Sequence, residues 1–259
     1  MAMPAYDAQI LMGEDLRIGS DIVVRNNTLR KILHYGEERY AAELSALIVR
    51  PYDMAVMLDD AGIDYRKITD YALFIMLAPT MLPKETIFLP DICLGEMKPG
   101  ANPDNGEPIL YHPDTHIIID RAVYQQIVDF VRATHFIPAE VEHNVGNEMA
   151  KRFLLRNMRR KLERKKKKPF EPQYPQLISS LVNTAGFKYS YDSVWDLRVS
   201  QFWDSFYRLN KMQSYNNTML GVYTGNIDAK KIDMKGLSWF GAIDMKPKMD
   251  ASKAVSTTA

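Results

Sequence analysis

Apolar residues recur at helical spacing through most of this chain, and the spacing breaks down in one stretch near its middle. Residues 16–24 (LRIGSDIVV) alternate loosely, which predicts a short strand or extended arm. Thr28 stands where an N-cap is needed for LRKILHY, and Gly36 ends that segment. Over residues 37–49, Tyr40, Leu44, Leu47 and Ile48 share one helical face until Pro51 stops the run. Pro51 also opens the next predicted helix, PYDMAVMLDDAG, with Met54, Met57 and Leu58 as its apolar face and Gly62 as its stop. Thr69 or Asp70 caps a further helix, DYALFIMLA, which Pro79 ends.

The middle has a different texture. Segments 86–89, 108–111 and 116–119 are short, apolar or β-branched, and separated by Gly/Pro/Asn/Asp clusters such as KPGANPDNGEP, so they predict a small β-insert over about 84–119. Helical spacing returns at Asp120, which caps RAVYQQIVDFVRATHF with Val123, Ile127, Phe130 and Val131 on one side. A long helix is expected over 145–168. KPFEPQYP then reads as a linker, because three prolines in eight residues oppose any regular element. A helix over 176–183 and an aromatic helical block follow. The expected architecture is mainly α (α+β). It has an N-terminal helical domain over 1–168 carrying the β-insert, a linker at 169–175, an aromatic helical region over 176–245, and a disordered tail over 246–259.

Charge sharpens this outline at one place. Residues 151–168 (KRFLLRNMRRKLERKKKK) hold eleven Lys/Arg against one Glu, a balance of +10; since the whole chain nets +1, the rest is acidic at −9. The single cysteine, Cys93, excludes an internal disulfide and fits a reducing compartment. The first residues (MAMPAYDAQILMGED) lack the basic and apolar regions of a signal peptide, and the longest apolar run, 71–78, is too short to span a bilayer. These features lead to the expectation of a cytosolic protein.

Few residue constellations suggest catalysis or cofactor binding. His112 and His116 have the spacing of a helical metal pair, but Pro113 opposes a helix there and no Cys pair or HExxH glutamate accompanies them. Asp59, Asp60 and Asp64 read as helix-end and turn residues, and Asp114 and Asp120 as loop and cap residues, rather than as an acid–base pair. Gly95 and Gly100 flank Lys98 without the helix-opening GK[ST] of a phosphate loop. No catalytic residue, metal site or cofactor is assigned. In the basic segment, Leu154, Leu155, Met158 and Leu162 form an apolar stripe with arginines opposite. Arg156, Arg159, Arg160, Lys161 and Arg164 thus form a candidate patch for phosphates or an anionic membrane surface, or simply a solvated, self-repelling helix end.

The aromatic residues gather later. Residues 187–240 contain Trp195, Trp203 and Trp239, all the tryptophans of the chain. Ser200 is a candidate N-cap for a helix reaching Tyr223, in which Phe202, Phe206 and Leu209 form one stripe with Trp203 and Tyr207 beside it. Two readings stand side by side: an ordinary core helix, or a groove for an apolar partner segment formed by Trp195, Phe202, Trp203, Phe206 and Tyr207.

The segments TLRKILHYGEERYAAEL, MLDDAGIDYRKITDYALF, LISSLVNTAGFKYSYDSVWDLRVSQFWDSFYRLNK and GVYTGNIDAKKIDMKGLSWF resemble conserved tail-module proteins of long-tailed phages and prophages of Gram-positive bacteria. Members of that family often carry Asn in an LNW-like ending where this chain has Ser238. The resemblance implies a tail assembly chaperone-like protein of the host cytoplasm. It would keep the tape measure protein soluble while tail-tube subunits polymerise, and would be absent from the finished virion. The basic segment would add attraction to acidic tape-measure or tail-tube surfaces. Two competing expectations are a tail or neck component retained in the particle, and a nucleic-acid-binding protein acting through residues 151–168.

Overall fold

Side-chain caps start the helices at the places where the sequence signals them. The computed structural model describes residues 8–82, 86–103, 105–138, 147–241 and 243. A short helix α1 (Ala8–Met12) leads into a hairpin of β1 (Leu16–Ile18) and β2 (Ile22–Val24), so the predicted extended arm is in fact two paired strands, with Leu16 opposite Val24. Thr28 accepts the Lys31 N–H at the head of α2 (Leu29–Tyr35), and Gly36 closes it before α3 (Glu37–Leu47). Helix α4 (Ala55–Asp60) begins later than Pro51 suggested, because residues 51–54 form turns. Its buried residues are Ala55, Val56 and Leu58; Met57, expected on the apolar face, points to solvent at 58% exposure.

Thr69 accepts the Ala72 N–H at the start of α5 (Asp70–Met81). This helix runs past Pro79, where a stop was expected. Proline there lies within the last turn, so only one intrahelical bond is lost. The β-insert also differs from its forecast. Its strands are β3 (Lys98–Ala101), β4 (Pro108–Tyr111) and β5 (Ile118–Ile119), paired antiparallel in that order. Residues 86–89 form no strand, and the first strand comes from the start of the Gly/Pro-rich cluster read as a separator. Gly100 explains the choice: a Cβ there would lie 2.9 Å from the Tyr111 ring on the neighbouring strand. The Tyr71 hydroxyl donates to the Ile119 carbonyl at 2.8 Å, tying α5 to this sheet.

Asp120 accepts the Val123 N–H and opens α6 (Arg121–His135), while Asn147 does the same for Ala150 at the head of α7 (Glu148–Lys166). Glu37, in the first turn of α3, caps a different helix. Its carboxylate accepts the Tyr174 N–H at 3.2 Å and the Gln173 N–H, at the start of α8 (Tyr174–Val182). A 3-10 turn over Val194–Asp196 precedes the longest helix, α9 (Val199–Tyr223), and a short α10 (Met234–Leu237) follows. The proposed disordered tail, 246–259, lies outside the described residues.

One apolar cluster draws on both sides of the proline-rich segment. Val24, Leu29, Tyr40, Phe74, Phe88, Leu110 and Ile127 share it with Tyr174, Ile178, Leu181, Val194, Val199 and Phe202. Within it, Tyr40 stacks on Phe88 with ring centroids 4.9 Å apart. The Tyr40 hydroxyl meets His135 Nε2, whose other ring nitrogen bonds the Val131 carbonyl at 2.7 Å. Burial holds this imidazole neutral, with its pKa pushed down to about 4. A second, smaller cluster contains Ala55, Val56, Leu58, Tyr65, Leu73 and Leu155.

Candidate partner-binding surfaces

Helix α9 begins in the core and ends in solvent. Ser200 is not its N-cap. Arg198 holds that position, and its N–H donates to the Gln201 Oε1 at 3.1 Å. The Ser200 hydroxyl is fully buried, donates to the Ile10 carbonyl at 2.9 Å and accepts from Asn26 Nδ2 at 2.8 Å, so long-range bonds displace the local cap. The Val199 N–H donates to Asn27 O, and the Leu29 N–H to Leu197 O. Gly13, which brings α1 against this turn, has φ +80°, and a Cβ there would lie 2.5 Å from Arg198 Cγ.

The five aromatic residues nominated from sequence are distributed unevenly along this transition. Phe202 is 0% exposed and packs against Tyr174 with centroids 5.5 Å apart, so it is a core residue and cannot touch a partner in the folded protein. Trp203, Phe206 and Tyr207 are half-buried and contact one another, with Trp203 and Phe206 crossing edge to face at 5.6 Å and 89°. Tyr207 also meets Phe136 at 5.5 Å. Trp195 lies upstream in the 3-10 turn, half-buried against the same core. These rings are therefore mostly fixed by intramolecular packing.

Beyond Leu209 the environment changes. No residue of α9 is buried after Phe202, and its last turn carries Leu220 at 63% exposure and Tyr223 at 80%. The chain then folds back. Asn226 and Ile227 donate their N–H groups to the Gly221 carbonyl, and Asp233 accepts the Gly236 N–H to start α10. Gly221 lets the return pack closely, since a Cβ there would stand 2.5 Å from Ile227 Cδ1 and push that side chain aside. Arg208 fastens the far end by donating to the Trp239 carbonyl at 2.6 Å and the Gly241 carbonyl at 2.7 Å. Ile227, Met234 and Phe240 are exposed on this returning segment, and Phe240 stacks on Trp239 at 3.9 Å while remaining 79% exposed. The helix end and its return form an arm whose apolar residues have little of the protein to bury against. Sequence reading missed Leu220, Ile227, Met234 and Phe240 as surface residues, although Gly221 and Gly225 marked the reversal.

The basic helix α7 is also split. Leu155 is buried in the second cluster, with Leu154 and Met158 packed beside it, whereas Leu162 is exposed. Ion pairs flank that contact: Arg159 to Asp59 at 3.0 Å and to Asp60, Lys151 to Asp64 at 3.2 Å, and Arg66 to both Asp64 and Glu148. Hydrogen bonding to Arg66 holds the Asp64 carboxyl well below the usual carboxylate range. Asp59, Asp60 and Asp64 therefore hold α7 in place. Of the five basic residues nominated, only Arg159 takes part in this docking. Arg156, Arg160, Lys161 and Arg164 are exposed and make no ion pair among the described residues.

His112 sits in the β4–β5 loop, where its Nδ1 accepts the Thr115 N–H at 3.2 Å, and His116 adopts a left-handed φ of 57°. Among the described residues no three metal-type ligands converge, and no helix is long and apolar enough to cross a membrane.

These features define a mainly α protein with a small β-insert and two projecting surfaces, one apolar and one basic. Residues 164–244, less than half of the chain, match the family model described as the YomV second domain, a phage-derived family of Bacillus prophage origin. Over that stretch the chain is similar to a phage protein. No curated protein and no solved structure matches it.

Proposed function

We propose that this chain is a non-catalytic phage tail-assembly chaperone that binds the tape measure protein in the host cytoplasm. The observation supporting this reading is the apolar arm: Leu220, Tyr223 and Phe240 are 63, 80 and 79% exposed on a segment held in place by Arg208 and Gly221. Large apolar side chains held out in water along one arm cost free energy unless a partner covers them. An amphipathic helix of the tape measure protein would supply the complementary stripe. The similarity of residues 164–244 to a phage-derived family includes this whole arm. Tail-tube protein is a second partner that such a chaperone would meet during polymerisation. In this proposal the contact moves outward from the nominated rings: Trp203, Phe206 and Tyr207 form its inner rim and the arm its body.

Co-expression with the tape measure protein tests the reading. The wild-type chain is expected to raise the soluble fraction, and Leu220→Ser/Tyr223→Ser/Phe240→Ser together to abolish that gain with the thermal midpoint unchanged. Equal solubility of the tape measure protein with and without this chain would overturn it. So would abundant copies of the chain in purified virions.

A further inference from the structure

Helix α7 keeps its apolar stripe for the protein and turns another face outward. At 3.6 residues per turn, positions four apart lie nearly in line, each about 6 Å further along the axis. Arg152, Arg156, Arg160 and Arg164 have this spacing, and all four are exposed without an ion pair among the described residues. Phe153, on the same outward side, is 65% exposed. From Arg160 to Phe170 every residue is exposed, so the helix end stands clear of the body.

We infer that this face binds single-stranded nucleic acid, independently of the apolar arm. A row of guanidinium groups offers forked donors to successive phosphates, which ammonium groups do not. A solvent-facing phenyl ring among them supplies a surface on which an unpaired base stacks. The Lys165–Lys168 run adds positive charge along the same axis and draws a polyanion toward the helix. An anionic bilayer fits the face poorly. A helix lying in a membrane interface buries its apolar stripe there, but Leu154, Leu155 and Met158 are already packed against the second cluster. An acidic protein surface would use the charge and leave Phe153 without a role. Duplex DNA offers phosphates but keeps its bases stacked on each other.

The test is fluorescence anisotropy of a labelled single-stranded oligonucleotide with the full chain. With four phosphates engaged, affinity should fall about 50-fold between 50 and 200 mM salt. Arg152→Gln/Arg156→Gln/Arg160→Gln/Arg164→Gln together should remove most of that binding and lower its salt slope. Phe153→Ala should weaken binding about tenfold with the salt slope unchanged. Circular dichroism melts check that both variants stay folded, and the triple arm variant should bind the oligonucleotide like wild type. Three results would each overturn the inference: equal binding by wild type and the four-glutamine variant, equal competition by polyglutamate and unlabelled oligonucleotide, or a preference for duplex with no effect of Phe153→Ala.

Discussion

Helices α7 and α9 are the two longest in the protein, at 19 and 25 residues, and they attach to the body in different ways. The first turn of α9 enters the main core, with Val199, Ser200 and Phe202 buried, so the helix is held at one end and its other end carries the arm. Helix α7 is held from the side. One buried leucine, two half-buried apolar neighbours and a ladder of ion pairs fix it to α4 and its turn. An anchor at one end orients a long apolar lever by packing alone. An anchor along one side rests on one buried leucine flanked by ion pairs, and leaves the opposite face of the helix uncovered.

The sharpest way to break this contrast is in the first turn of α9. Phe202→Ala removes a fully buried ring and should cost about 3–5 kcal/mol, read as a lower urea midpoint for the whole molecule. If the loss were under about 1 kcal/mol, α9 would not be anchored there. The core that receives α9 also contains His135, whose pKa falls to about 4 in the folded protein against about 6.5 unfolded. The unfolded chain therefore binds a proton that the folded chain refuses. Stability should fall as pH drops from about 6.5 to about 4, by up to about 3 kcal/mol, and level off below that as far as His135 is concerned. Urea titrations across this range should show the slope, and His135→Gln should flatten it.

Smaller effects are expected at α7. Leu155→Ala should cost about 2–3 kcal/mol, because Leu155 is the one residue of that helix that is buried. Hydrogen exchange should then rise in 148–166 before it rises in α6. Arg159→Ala removes partly exposed ion pairs to Asp59 and Asp60 and should cost under about 1 kcal/mol, less still at high salt. At the end of the α9 lever, Tyr223→Ala should change stability by no more than about 0.5 kcal/mol. A larger change would mean that the arm is packed more tightly than its exposure indicates.

Caps and periodicity made much of the helical framework readable in advance. Thr28, Thr69 and Asp120 perform the local bonds that their side chains favour, and Gly36 ends α2 as expected. Ser200 was misread because the same hydroxyl serves a contact with Ile10, 190 positions away, which no local pattern reveals. The first strand of the β-insert was missed for a related reason. Lys98–Ala101 has turn composition, and it is strand only because β4 supplies a partner and Tyr111 needs the space above Gly100. At the candidate surfaces, helical spacing correctly grouped Trp203, Phe206 and Tyr207 but could not separate the core ring Phe202 from its neighbours. The outward row of α7 was present in the sequence as arginines at every fourth position. It became meaningful once the structure showed which stripe of the helix was already covered.

The Asn26–Ser200–Ile10 link sets a schedule for synthesis. Asn26 and Ser200 are separated by 174 residues, and Ile10 and Ser200 by 190. At roughly 5–20 residues per second, the ribosome takes on the order of 10–35 s to make the stretch from Asn26 to Ser200. During that interval the hairpin, α2 and α3 can form, but the layer made by Val199 and Phe202 has not yet been translated. The nascent N-terminal region must wait with apolar surface uncovered until Val199 and Phe202 arrive to complete its core.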